Sequence, residues 1–216
     1  MNCVLAVAMR DGYLFITARM AQRVPAGRAR FEESLLMSMA FELRAATKSD
    51  LAAIAGIYAH YVQNSACTFD TEAPSAAYWA DWLSEHGGTC PVIVAVRGDQ
   101  VVGWGSLSKW NKRCAYRFSL EDSVYVRPDR HGQGIGKALL TELIRLAREH
   151  GHRNIIAQIA DGQPVSEALH EKLGFKRVGH LTDVGNKFGR WIGVGIWQLQ
   201  LSESQATGGG TTGEQR

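Results

Sequence analysis

Apolar residues change their spacing many times along this chain, and each change marks an element. Phe41–Arg44 alternates as a short strand. Thr47-Lys48-Ser49-Asp50 reads as a capping box, and it opens a helix to about Asn64 with Leu51, Ile54, Ile57, Tyr58 and Tyr61 on one stripe. Pro74 precedes a second helix, Ser75 to His86, carrying Trp79, Trp82 and Leu83 on one side. Val92–Val96 and Val101–Leu107 flank Gly98-Asp99, a tight hairpin signal. Tyr116–Val126 reads as the next strand. A helix from Ile135 to His150 turns Leu139, Leu140, Leu143, Ile144 and Ala147 inward and stops at Gly151. Ile155–Ala160 is a strand, Val165–Leu173 a helix ending at Gly174, and Lys176–Leu181 and Ile192–Leu199 are the closing strands. This order predicts an α/β fold, a mixed sheet of about seven strands flanked by about four helices.

The two ends break the pattern. Residues 1–38 hold one short apolar piece, Val4–Met9, with no basic segment before it, and this makes a poor signal peptide. They read as an N-terminal extension, disordered or lying ahead of a start at Met37 or Met39. Residues 202–216, with Gly-Gly-Gly and Thr-Thr-Gly, read as a disordered tail. The domain is expected over 39–201.

Composition changes little except by exclusion. A chain of 216 residues with 45% hydrophobic content suits one domain with a proper core. The net charge of +3 is spread along the chain, so no basic face for nucleic acid is expected. Cys3, Cys67, Cys90 and Cys114 stand far apart, without C-x-x-C or histidines at zinc spacing. They read as free thiols of a reducing compartment, and no metal site is expected. No apolar run approaches the ~18 residues of a membrane span.

The candidate chemistry lies in Ser123–Ala138, S-V-Y-V-R-P-D-R-H-G-Q-G-I-G-K-A. A strand feeds a glycine-rich turn that opens an amphipathic helix, and free N–H groups with the helix dipole favour an anion there. A Walker A loop fails twice, because His131 takes its first glycine position and Ala138 follows Gly136-Lys137. The dinucleotide fingerprint fails at Lys137, which takes its third glycine position. The pattern V-x-P-x-x-x-x-G-x-G-x-G before a helix does fit, and it resembles the pyrophosphate loop of the GNAT-family N-acetyltransferases. A glycine turn without a ligand stays open on this motif alone. Leu169-His170-Glu171-Lys172-Leu173-Gly174-Phe175 resembles the same family's C-terminal helix motif. With Leu120–Val126 and Gly185–Trp191 it is most similar to the phosphinothricin and methionine sulfoximine N-acetyltransferases.

The resemblance implies a GNAT-type fold and acetyl-CoA as co-substrate, without a metal. The implied acceptor is the α-amine of a small amino-acid-like molecule, in a soluble, cytoplasmic homodimer with no nucleic-acid or membrane partner. It also implies site residues. Glu121 is expected as the general base, since an α-ammonium with pKa ~8 must lose a proton before attack; a solvated strand-edge acid is its alternative. Asp122 points to the other face by strand alternation. His170 is expected near the leaving thiol, with a histidine packed on the sheet as its alternative. Val124, Tyr125 and Val126 are expected along the pantetheine, and His131, Gly132, Gln133, Gly134, Ile135, Gly136 and Lys137 around the pyrophosphate, with Gln163 and Ser166 close by. His131 departs from the arginine or glutamine of most relatives, and Gln163 from their asparagine. Arg117 matches the arginine used for a substrate carboxylate, a job its planar fork suits. Tyr116, Lys187, Phe188 and Trp191 complete the expected substrate side. A protein N-terminal or lysine acetyltransferase, and a non-catalytic acetyl-CoA-binding module, are the alternatives.

Overall fold

The computed structural model describes residues 4–10, 13–19 and 40–201, the first two stretches as backbone. Strands β1 (Val4–Arg10), β2 (Tyr13–Arg19), β3 (Phe41–Ala45), β4 (Val92–Arg97), β5 (Gln100–Lys109), β6 (Ser119–Val126), β7 (Asn154–Ala160), β8 (Lys176–Lys187) and β9 (Arg190–Gln200) form one sheet. Its order is β1-β2-β3-β4-β5-β6-β7-β9-β8. Every neighbouring pair is antiparallel except β6 and β7, which run parallel. Seven of these strands, β3 to β9, follow the expected order. Helices α1 (Leu51–Asn64) and α2 (Ala76–Glu85) cover one face, where Ile54, Ile57 and Trp79 pack on Val94 and Trp104. Helices α3 (Ile135–Glu149) and α4 (Pro164–Lys172) belong to the other. The stripe Leu139, Leu140, Leu143, Ile144 and Ala147 is buried there as its spacing requires.

Asp50 shows how a local sequence signal becomes an energy. Arg44 donates to its two oxygens at 2.7 and 2.8 Å, and the Thr47 N–H donates at 2.7 Å. The Arg44 hydrogen bonds outweigh the opposing effect of burial and, with Thr47, bring the carboxyl down to about 2. A lowered folded pKa contributes stability above the unfolded value, lost as pH falls through the folded one. Asp50→Asn should therefore lower stability by about 2 kcal/mol at neutral pH. The difference should shrink between pH ~4 and ~2. Urea unfolding at stepped pH checks this, and an equal loss at the acid end would exclude the ion pair as its source.

Several boundaries differ from the sequence reading. The segment before β6 is a 3-10 turn at Cys114–Tyr116, closed by Tyr116 N–H to Arg113 O and Arg117 N–H to Cys114 O, so the strand begins at Ser119 rather than Tyr116. β8 continues to Lys187 and meets β9 at Arg190. Phe188 and Gly189 form the turn with φ of 54° and 71°, the left-handed pair a two-residue hairpin uses. Phenylalanine is a poor signal for that position. In the expected extension, β1 and β2 pair with each other, and Leu14–Ile16 pair with Phe41–Leu43 on the edge of β3. These two strands lie within the extension expected over 1–38. Met37, Met39 and 202–216 lie outside the described residues. His152 is buried and donates to the Thr89 carbonyl at 3.0 Å.

Candidate active site

The site begins where β6 and β7 part. Their register runs from Ser119↔Asn154 to Glu121↔Ile156 and ends there. Beyond it β6 stays paired only to β5. The carbonyls of Ser123 and Tyr125 face β5, each close against Gly105 or Gly103. The Val126 carbonyl faces the other way, accepting from Tyr61. Main-chain groups alternate along an antiparallel pair. Val124 and Val126 therefore direct theirs toward the gap that β7 leaves.

The glycine turn lies at the end of that gap. Gly132 and Gly134 take φ of 73° and 79°, and Gly134 caps α3 in the left-handed conformation that other residues resist. The first N–H groups of α3 are thereby presented to solvent beside Lys137. Gln133 accepts from Arg97 at 2.8 Å, which brings a guanidinium to the turn. His131 is tied inward. Burial, then the Cys67 thiol, push the Tyr61 phenol up to about 12, so it remains a donor. Its hydrogen goes to the Val126 carbonyl at 2.5 Å, which leaves His131 Nε2 to donate to the phenol oxygen at 2.7 Å.

Glu121 lies on the α1 face of β6, at the last paired position before the gap. Gln158 of β7 donates to its Oε1 at 2.8 Å. Burial pushes the carboxyl above the ordinary glutamate range, the Gln158 bond opposes this, and Asp122 adds to it. On the same face Tyr125 stacks on Trp104 and meets Tyr58 edge-on at 5.1 Å. Tyr58 pairs with Thr68 at 2.6 Å and donates to Asp70 at 2.8 Å. The loop 65–70 is clamped to β8 from the opposite side. Lys187 is buried, and its ammonium donates to the Ser65 and Thr68 carbonyls at 2.8 and 2.7 Å. The Phe69 ring lies so close on Gly185 that a Cβ there would stand 2.2 Å from it.

Asp122 points to the opposite face, as alternation requires, but it is not idle. Its Oδ2 accepts from His170 Nε2 at 3.1 Å, and both side chains are buried. His170 Nδ1 donates to the Ser166 carbonyl at 2.8 Å. Burial opposes a charged ring, but the Asp122 and Ser166 contacts prevail and raise the His170 pKa. Sequence reasoning missed this partnership because its members are 48 positions apart and nothing local joins them. Tyr61, read only as core, and Gln158 were missed for the same reason.

Residues 54–175 match the acetyltransferase (GNAT) family. The chain belongs to that family. It is 37% identical over 174 residues to the phosphinothricin N-acetyltransferase of Alcaligenes faecalis, covering 80% of this chain and 88% of that protein. It is 38% identical over 169 residues to the L-methionine sulfoximine/L-methionine sulfone acetyltransferase of Salmonella typhimurium, covering 76% and 96% respectively. The crystal structure of a GNAT superfamily phosphinothricin acetyltransferase from Sinorhizobium meliloti, in complex with AcCoA, superimposes with a TM-score of 0.73 at 40% identity over 77% of this chain and 91% of that one. The protein is thus an N-acetyltransferase of the GNAT family, close to the phosphinothricin and methionine sulfoximine acetyltransferases.

In this GNAT enzyme the expected residues divide into three groups. Glu121, Val124, Tyr125 and Val126 line the parting of the strands, with His131–Lys137 at its end. Gln163 caps α4, and the Ser166 hydroxyl stands 3.5 Å from His170. Tyr116 and Arg117 are exposed on the 3-10 turn and its exit, the Arg117 guanidinium over the Phe118 ring at 4.4 Å. Phe188 and Trp191 are exposed at the β8–β9 turn, while Lys187, just before Phe188, is committed to the loop carbonyls. Among the described residues no group of three or more His, Cys, Asp or Glu stands together as a metal site. No helix there is long and apolar enough to cross a membrane.

Proposed function

We propose that this acetyltransferase moves the acetyl group of acetyl-CoA to the α-amine of a small amino-acid-like molecule of the phosphinothricin or methionine sulfoximine/sulfone type. Glu121 carries the reading. It is a half-buried carboxylate at the parting of β6 and β7, oriented by Gln158 and pushed up by burial toward the range of a working base. The residues present fit the donor. Val124 and Val126 would pair main chain to main chain with pantetheine amides, the glycine turn would cradle the pyrophosphate through N–H groups, and Arg97 and Arg130 would supply charge. Acetyl-CoA, when bound, supplies an activated acyl group. Glu121 takes the proton of the arriving ammonium, directly or through one water, and the strand N–H groups of Val124 and Val126 polarise the carbonyl. No covalent enzyme intermediate is needed. Arg117 is the proposed partner of the substrate carboxylate, and Phe188 with Trp191 the lining of its far side.

The exposed apolar residues of the β8–β9 hairpin, Val184, Phe188 and Trp191, support a homodimer formed through it. Cys67, Cys90 and Cys114 are free thiols, which suits the cytoplasm. The test is an acceptor screen with acetyl-CoA, following thiol release and product mass. Methionine sulfone, methionine sulfoximine and phosphinothricin should react and free lysine side chains should not. Transfer only to peptides would replace this reading with a protein acetyltransferase. Binding without transfer to any amine would replace it with a binding module.

A further inference from the structure

We infer that Asp122 and His170 form a positioning tie that sets the slot between β6 and β7, rather than an acid that serves the leaving thiol. The inference rests on the proposed use of that gap by acetyl-CoA. Asp122 is the first residue beyond the last β6–β7 pair, so it stands where the strands separate. His170 belongs to α4, the helix that follows β7. The Nε2–H to Oδ2 bond therefore spans from one wall of the gap to the helix carried by the other. Leu169, the preceding residue of α4, reaches the same way, to the first turn of α3 beside Val126. The helix closes one face of the gap through these two side chains.

Both ring nitrogens of His170 are occupied. A carbonyl can only accept, so Nδ1 donates to Ser166, and Nε2 shares its proton with a buried carboxylate. Phe175 meets the ring edge-on at 4.9 Å and fixes its plane. No lone pair remains for base catalysis, and the proton that an acid would release already points at Asp122. Stability does not explain the pair either. Asp122 Oδ1 is buried without a hydrogen-bond partner, and a buried ion pair short of one bond is poor value as a staple. What the pair does provide is a fixed distance between α4 and β6.

The test compares Asp122→Asn, which keeps shape and an acceptor, with His170→Gln and the double variant. Thermal melts establish that each is folded. In 15N NMR of the unsubstituted protein both His170 ring nitrogens should be protonated, and in Asp122→Asn only one. By calorimetry each single variant should weaken acetyl-CoA about tenfold and the double variant no further, as expected of one coupled unit. The KM for L-methionine sulfone should stay unchanged. Unaltered acetyl-CoA affinity in both single variants would overturn the inference. So would a turnover loss in His170→Gln that vanishes with the acetyl thioester of an acidic aryl thiol, because His170 would then be the proton donor. If neither single variant folds, the tie belongs to the fold and the inference falls. An unsubstituted protein that does not bind acetyl-CoA would instead sink the functional reading itself.

Discussion

Glu121→Gln should lower turnover by ~10²-fold or more while acetyl-CoA binding persists. The substitution removes the proton acceptor but keeps the shape and an oxygen for the Gln158 amide. The pH profile makes the assignment specific. The free amine rises with pH through ~8, and a base at Glu121 adds a second acid-side fall where its carboxyl becomes protonated. Burial raises that carboxyl, so this limb lies above the ordinary glutamate range. In Glu121→Gln the limb should disappear, leaving the amine limb alone. Stability should move the other way. A raised folded pKa means that the contribution of this group is fully present below its unfolded value and is lost as pH rises through the folded one. The neutral glutamine is therefore expected to melt no lower than glutamate at neutral pH. Steady-state rates across pH and a melt of each protein check both halves. Unchanged turnover would remove Glu121 from the mechanism.

The residues fall along a clear line between what is legible in a sequence and what is not. Local signals were reliable. The α3 stripe is buried, Gly132 and Gly134 take positive φ, and Thr47–Asp50 forms its box. Strand alternation placed Glu121 and Asp122 on opposite faces without a structure. The failures concern what lies across the sheet. Asp122 looked unemployed because its partner comes from a helix beyond the next strand. The burial of Lys187 and its bonds to the Ser65 and Thr68 carbonyls carry no mark in the sequence, because those partners lie more than a hundred positions away. His131 looked only like an odd residue in a phosphate turn, while its inward contact with Tyr61 required the register of α1 against β6.

Lys187→Met tests the clamp on the substrate side. The ammonium is buried and holds two carbonyls of the loop 65–70, whose neighbours Tyr58 and Tyr125 share a face with Glu121. Methionine fills similar space and donates nothing, so the Ser65 and Thr68 carbonyls lose their partner together. Burying an ammonium has its own cost, seen in the pKa that burial lowers despite Cys67 and Asp70, and methionine recovers part of that cost. The net loss should be roughly 2–4 kcal/mol, since orphaned buried acceptors cost about 1–3 kcal/mol each. That corresponds to a melting shift of roughly 5–15 °C in a domain of this size. The kinetic signature separates this role from direct substrate contact. A loosened loop should raise the amine KM for every acceptor alike, and Lys187→Arg should restore part of it by again donating to the carbonyls. A lysine that bound a substrate group would instead affect only acceptors bearing that group, with little change in melting. KM measured for methionine sulfone and for phosphinothricin, beside melts of both variants, decides between them.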